Sequence, residues 1–102
     1  MPDIFTQVVG TWHRTAVRDL PAGAGIEQLR TASYQGPGTL EASIYRLTSP
    51  AMALDMAQRW KPTPDTVFFY SDRFFVLVRW QTADRKALHE FVAALEKRLR
   101  VR

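Results

Sequence analysis

The hydrophobic pattern is densest in the second half of the chain. From Thr66 to Tyr70 and again from Phe74 to Trp80 almost every position is aromatic, aliphatic or β-branched, so both faces of each run are apolar. Such residues favour the pleated, half-buried surface of a strand. The polar Ser71-Asp72-Arg73 between the runs predicts a hairpin, and strands apolar on both faces belong in the middle of a sheet. A second hairpin is predicted by Ile26 to Gln35 and Leu40 to Leu47, which flank Gln35-Gly36-Pro37-Gly38-Thr39. In it Leu40, Ala42 and Ile44 share one face, while Glu41, Ser43 and Tyr45 share the other. From Thr11 to Leu20 the alternation is weaker, with Trp12, Arg14, Ala16, Arg18 and Leu20 on one side, and it stops at Pro21. Alternate arginines suit an edge strand in contact with water. Pro21-Ala22-Gly23-Ala24-Gly25 then reads as a loop.

Two segments change the period from two to 3.6. Thr48-Ser49-Pro50 offers a capping hydroxyl and a proline at the first helical position, where its missing N–H costs nothing. Ala53, Met56, Ala57 and Trp60 make one apolar stripe, and Pro62 and Pro64 end the helix near Lys61. Thr82 or Asp84 caps a second helix, striped by Leu88, Phe91, Val92, Leu95 and Leu99 and opposed by Arg85, Lys86, Glu90 and Lys97. The order strand, hairpin-helix, hairpin-helix predicts a single α+β domain over residues 1–102. Its expected architecture is one antiparallel sheet of about five strands with two helices packed on one face. The two hairpin-helix units share a construction without residue-by-residue similarity.

That assembly leaves a face to be covered. Phe74, Val76, Val78 and Trp80 lie on one side of a strand and Phe75 and Leu77 on the other, and both sets are large and apolar. An N-terminal arm, residues 1–10, supplies Ile4, Phe5, Val8 and Val9 just before Trp12, and Gly10 ends it before a stable helix length. The arm, a second subunit or a ligand would fill the role, because large exposed apolar patches mark interaction sites.

Composition narrows the class. With 46% hydrophobic and 24% charged residues in 102, the chain resembles a water-soluble domain with one core. No apolar run reaches the roughly 18 to 20 residues of a bilayer span, and Met1-Pro2-Asp3-Ile4-Phe5 lacks the layout of a secretory signal. A cytoplasmic protein is expected, although an exported precursor trimmed of its signal would read the same. The absence of cysteine excludes disulfides, thiolate catalysis and thiolate metal sites. The formal charge of +4 is uneven. Bases and acids balance as far as Phe68, and Lys97, Arg98, Arg100 and Arg102 crowd into a basic helix end over residues 96–102.

Candidate chemistry is sparse. His13 and His89 have no ligand partner at metal-binding spacing. Ser33 and Ser43 belong to strands, Ser49 to a cap and Ser71 to a turn, and none lies in a nucleophile elbow. Asp72, Asp84, Glu90 and Glu96 are flanked by Arg or Lys, which suits solvated carboxylates rather than general acids. Gly36-Pro37-Gly38 and Gly23-Ala24-Gly25 lack the continuation that phosphate loops require. The basic end fits the helix dipole as well as it fits phosphates, and no base-stacking aromatic motif accompanies it. No catalytic, cofactor-binding or metal residue is therefore nominated, and no cofactor is expected.

The stretch from Leu40 to Ala53, with a strand ending in Tyr45 and a Ser49-Pro50 helix start, is followed by the Arg73-Phe74-Phe75-Val76 strand opening and a closing helix. Over roughly Ile26 to Arg102 this resembles an uncharacterised bacterial family catalogued as a domain of unknown function. The resemblance implies a bacterial protein and carries over no activity and no site residue. The function expected from the residues is a non-enzymatic interaction or accessory module, working through its sheet face and as a homodimer or with a protein partner. Two alternatives stand beside it. One is a small-ligand or enzymatic pocket between sheet and arm around Trp12, His13, Tyr45 and Trp80; the other is weak nucleic-acid or anionic-surface binding through the basic end.

Overall fold

The computed structural model describes residues 3–21, 23, 25–61 and 63–100; parts of the glycine loop, Pro62 and Arg102 lie outside them. The elements are β1 (Val8–Val9), β2 (Trp12–Leu20), β3 (Ile26–Gln35), β4 (Gly38–Leu47), α1 (Pro50–Arg59), β5 (Thr66–Ser71), β6 (Phe74–Ala83) and α2 (Arg85–Arg100). All strands join one antiparallel, six-stranded sheet in the order β1-β2-β3-β4-β6-β5. The fold is α+β, with three departures from expectation.

The first departure is the sixth strand. The arm does pack, with Ile4 and Phe5 buried, but Val8 and Val9 also pair with His13 and Trp12 and so extend the sheet. The second is the position of β5, which lies at the sheet edge while β6 lies inside. Its apolar residues reflect cover by helices on both faces, not a central place in the order. The third is the placement of the helices. Phe74, Val76 and Val78 cluster with Leu88, Phe91, Leu95 and Leu99 of α2 and with the arm, whereas Phe75 and Leu77 cluster with Ala53, Met56, Ala57 and Trp60 of α1. Alternate residues of a strand point to opposite faces, so the two helices cover opposite sides of the sheet. One stripe per helix and two apolar faces on β6 are thereby matched.

Local chemistry explains the helix starts. Ser49 Oγ accepts from the Met52 N–H at 3.3 Å, with Pro50 opening α1. Asp84 accepts from the Ala87 N–H at 3.0 Å and caps α2, whereas Thr82 remains in β6. Under α2 the rings of Trp12 and Tyr34 meet the Phe91 ring edge-on, at 5.8 and 4.9 Å.

The shorter α1 leaves part of its own face open. There Ser33, Glu41 and Arg79 stand opposite one another across β3, β4 and β6 as a polar band, with Ala16 of β2 beside Ser33. Thr31 and Ser43 share a hydroxyl hydrogen bond of 3.1 Å at its border. Among the described residues no helix is long and apolar enough to cross a membrane.

Candidate functional site

The two edges of the sheet differ. Beyond the short β1, the β2 edge carries Arg14, Arg18 and Asp19 and a register irregularity between Arg14 and Ala16. Charges and bulges of this kind deter another strand from pairing. The β5 edge, Thr66-Val67-Phe68-Phe69-Tyr70-Ser71, has no charge and no proline, and it pairs with β6 in unbroken register. The Trp80 N–H donates to the Asp65 carbonyl at 3.0 Å, which sets the phase of this ladder. Val67, Phe69 and Ser71 therefore turn their backbone groups toward β6, and Thr66, Phe68 and Tyr70 turn theirs outward. The Thr66 N–H bonds the Thr63 carbonyl at 3.2 Å, so the open part of the edge lies at Phe68 and Tyr70.

Beside this edge a groove of about 310 Å³ runs between β5 and α2. Val67, Trp80, Leu88 and Val92 give it apolar walls, and Thr66, Arg85 and His89 supply its polar atoms. Arg85, Leu88, His89 and Val92 follow helical spacing, so one flank of α2 faces the groove. Val92, expected with the core stripe, belongs to this flank and is only partly buried. A strand edge bordered by such a groove can hold an extended chain by main-chain bonds and select side chains by the groove.

Among the described residues a concavity of about 330 Å³ lies beside Arg14, Arg18, Asp19 and Arg30 on the β2 edge, and two more lie on the α1 face. One of about 320 Å³ lies on the polar band, among Thr15, Ser33, Gln35, Glu41, Arg79 and Gln81. The other, of about 260 Å³, follows α1 past Ile26, Leu47, Met52, Met56 and Trp60, next to the 3.1 Å Arg59–Asp55 ion pair.

The residues singled out in the sequence are dispersed. Trp12 is buried against α2 and donates its indole N–H to the Ala87 carbonyl at 3.2 Å, His13 is exposed, Tyr45 packs on the α1 face, and Trp80 lines the groove beside α2. The four lie on two faces and form no common pocket. Ser33 sits in the polar band, Ser71 ends β5, and Asp72 holds the hairpin turn with a φ of 56°. Glu96 pairs with Arg100 at 3.1 Å, and Arg98 bonds the arm, so the basic end is partly engaged within the chain. Glu90, His89 and Lys97 are exposed. Among the described residues no three His, Cys, Asp or Glu side chains group as a metal site. Burial pushes the Tyr34 hydroxyl up to about 12, against the pull of Arg14 and Arg98, and also raises Tyr45. The hydrogen bond from Arg30 holds the Asp19 carboxyl below its ordinary range.

Arg85 and the groove were not legible as a site in the sequence. The available signal was an uncharged, proline-free run at Thr66–Ser71, which becomes informative only once that run is known to be an edge. Comparison with protein-family models, with curated proteins and with solved structures finds no match.

Proposed function

We propose that the protein is a non-enzymatic interaction module that takes an extended segment of a partner protein as an added strand on β5. The observation that supports this reading is the juxtaposition of an uncharged edge strand with the apolar groove between it and α2. It relocates the interaction from a free apolar sheet face, since α1 covers one side of β6 and α2 with the arm covers the other. Nucleic acid is a poorer fit, because Arg98 and Arg100 are bonded to Ile4 and Glu96.

The test uses a short capped peptide of alternating threonine and valine with one central leucine. Saturable binding should perturb the Phe68 and Tyr70 amide resonances first. Tyr70→Pro should abolish it, because proline removes an outward N–H that β6 does not use, while Tyr70→Thr should preserve it. Amide changes confined to the polar band or to α1 would refute strand addition. Changes at Phe68 and Tyr70 that track protein concentration without peptide would replace the partner segment by a second copy of the chain.

A further inference from the structure

We infer that the segment received by β5 carries an apolar side chain with a carboxylate two residues away on the same face, the first filling the groove and the second meeting Arg85. This rests on the strand-addition reading and goes beyond it by specifying the partner's chemistry. The groove lies on the face of the sheet to which Val67 and Phe69 point. Side chains of an added strand alternate between faces, so the one opposite Val67 enters the groove and those two residues away lie on the same side. Val67, Trp80, Leu88 and Val92 offer that side chain an apolar lining with no acid in it.

Among the residues that line the groove Arg85 carries the charge, while the acids Asp65 and Asp84 lie beside the lining without being part of it. Arg85 and His89 are exposed on the α2 flank, one helical turn apart, and Arg85 has no ion-pair partner among the described residues. The nearest acid in sequence, Asp84, accepts from the Ala87 N–H as the helix cap. A basic residue on the partner would meet Arg85 unfavourably, and a carboxylate would be accepted by a planar donor suited to it. His89 adds a second nitrogen beside the same wall.

The experiment is calorimetry with two capped threonine-valine peptides that differ only in whether glutamate or lysine stands two residues from the central leucine, on the same face of the strand. The glutamate peptide should bind about two- to fivefold more tightly at low salt, the size expected of an exposed ion pair, and the preference should shrink as salt is added. Arg85→Gln should remove the preference and Arg85→Glu should reverse it; both changes fall on an exposed side chain, and circular dichroism verifies that α2 persists. Replacing the central leucine by threonine should weaken both peptides alike. Equal affinities that remain sensitive to Tyr70→Pro would overturn the charge inference while leaving strand addition intact. Binding insensitive to Tyr70→Pro, or no binding by either peptide, would overturn both.

Discussion

Arg98 Nη1 donates to the Ile4 carbonyl at 3.3 Å and to the Thr6 hydroxyl, tying the last turns of α2 to the N-terminal arm. Arg14 holds the same arm from β2 through the Phe5 carbonyl at 2.7 Å. Ile4 and Phe5 are thereby kept in the core, at 2% and 1% exposure. Arg98→Gln should lower stability by about 1.5 to 3 kcal/mol, the range of hydrogen bonds from charged groups. Lys97→Gln, on an exposed neighbour, should stay within about 0.5 kcal/mol. Equal urea midpoints for the two variants would mean that Arg98 does not anchor the arm.

Leu95 is fully buried in the cluster under α2, whereas Leu54 on α1 is 41% exposed. Leu95→Ala should therefore cost about 2 to 5 kcal/mol, through lost transfer energy and the cavity left behind. Leu54→Ala should change stability by no more than about 0.5 kcal/mol. Chemical denaturation of both variants measures the contrast, and a Leu95→Ala midpoint like that of the parent would show that α2 is not part of the cooperative core.

These contrasts show where sequence sufficed. The α2 stripe was legible because Leu88, Phe91, Leu95 and Leu99 repeat at helical spacing, and the α1 start because a Ser49 cap and a Pro50 at the first helical position precede an apolar stripe of period 3.6. The opposite placement of the helices was written in β6, where Phe75 and Leu77 interrupt Phe74, Val76 and Val78, since two apolar faces need two covers. Economy of layers argued for one face and was the weaker argument. The edge position of β5 was not legible, because a strand half-covered on both faces by helices has the composition of a central one. Without that position the groove, which needs both β5 and the flank of α2, had no local signature.

Tyr34 gives a pH dependence. Its hydroxyl donates to the Thr6 carbonyl at 2.7 Å, and burial raises its ionisation from the ordinary 10 to about 12. The folded state thus favours the neutral phenol more than the unfolded chain does. The associated stability is fully present below pH 10 and is lost as pH rises through about 12. Tyr34→Phe should be less stable at neutral pH, by about 1 kcal/mol for the lost hydrogen bond. It should also show a shallower fall in stability across that alkaline window. Parallel stability–pH curves for the two proteins would contradict the assignment.

Gly38 opens β4 where the strand passes closest to the end of β6. A Cβ there would stand 1.9 Å from the Thr82 carbonyl oxygen and 2.6 Å from its carbon, and backbone on both sides cannot yield as a flexible side chain would. Gly38→Ala should force Gly38 and Thr39 away from Ala83 and Thr82, their ladder partners, at a cost of about 2 to 3 kcal/mol. Gly23 is the control, since a Cβ there meets nothing within 4 Å; Gly23→Ala should be neutral or stabilise by up to about 1 kcal/mol through the unfolded chain. The strain also has a functional consequence, because Ala83 leads through Asp84 directly into Arg85 and the α2 flank of the groove. Gly38→Ala should therefore weaken the leucine-glutamate peptide at temperatures where the variant is still folded, and Gly23→Ala should not. Calorimetry on both variants decides it: unchanged affinity in a destabilised but folded Gly38→Ala protein would separate the β4–β6 junction from the groove.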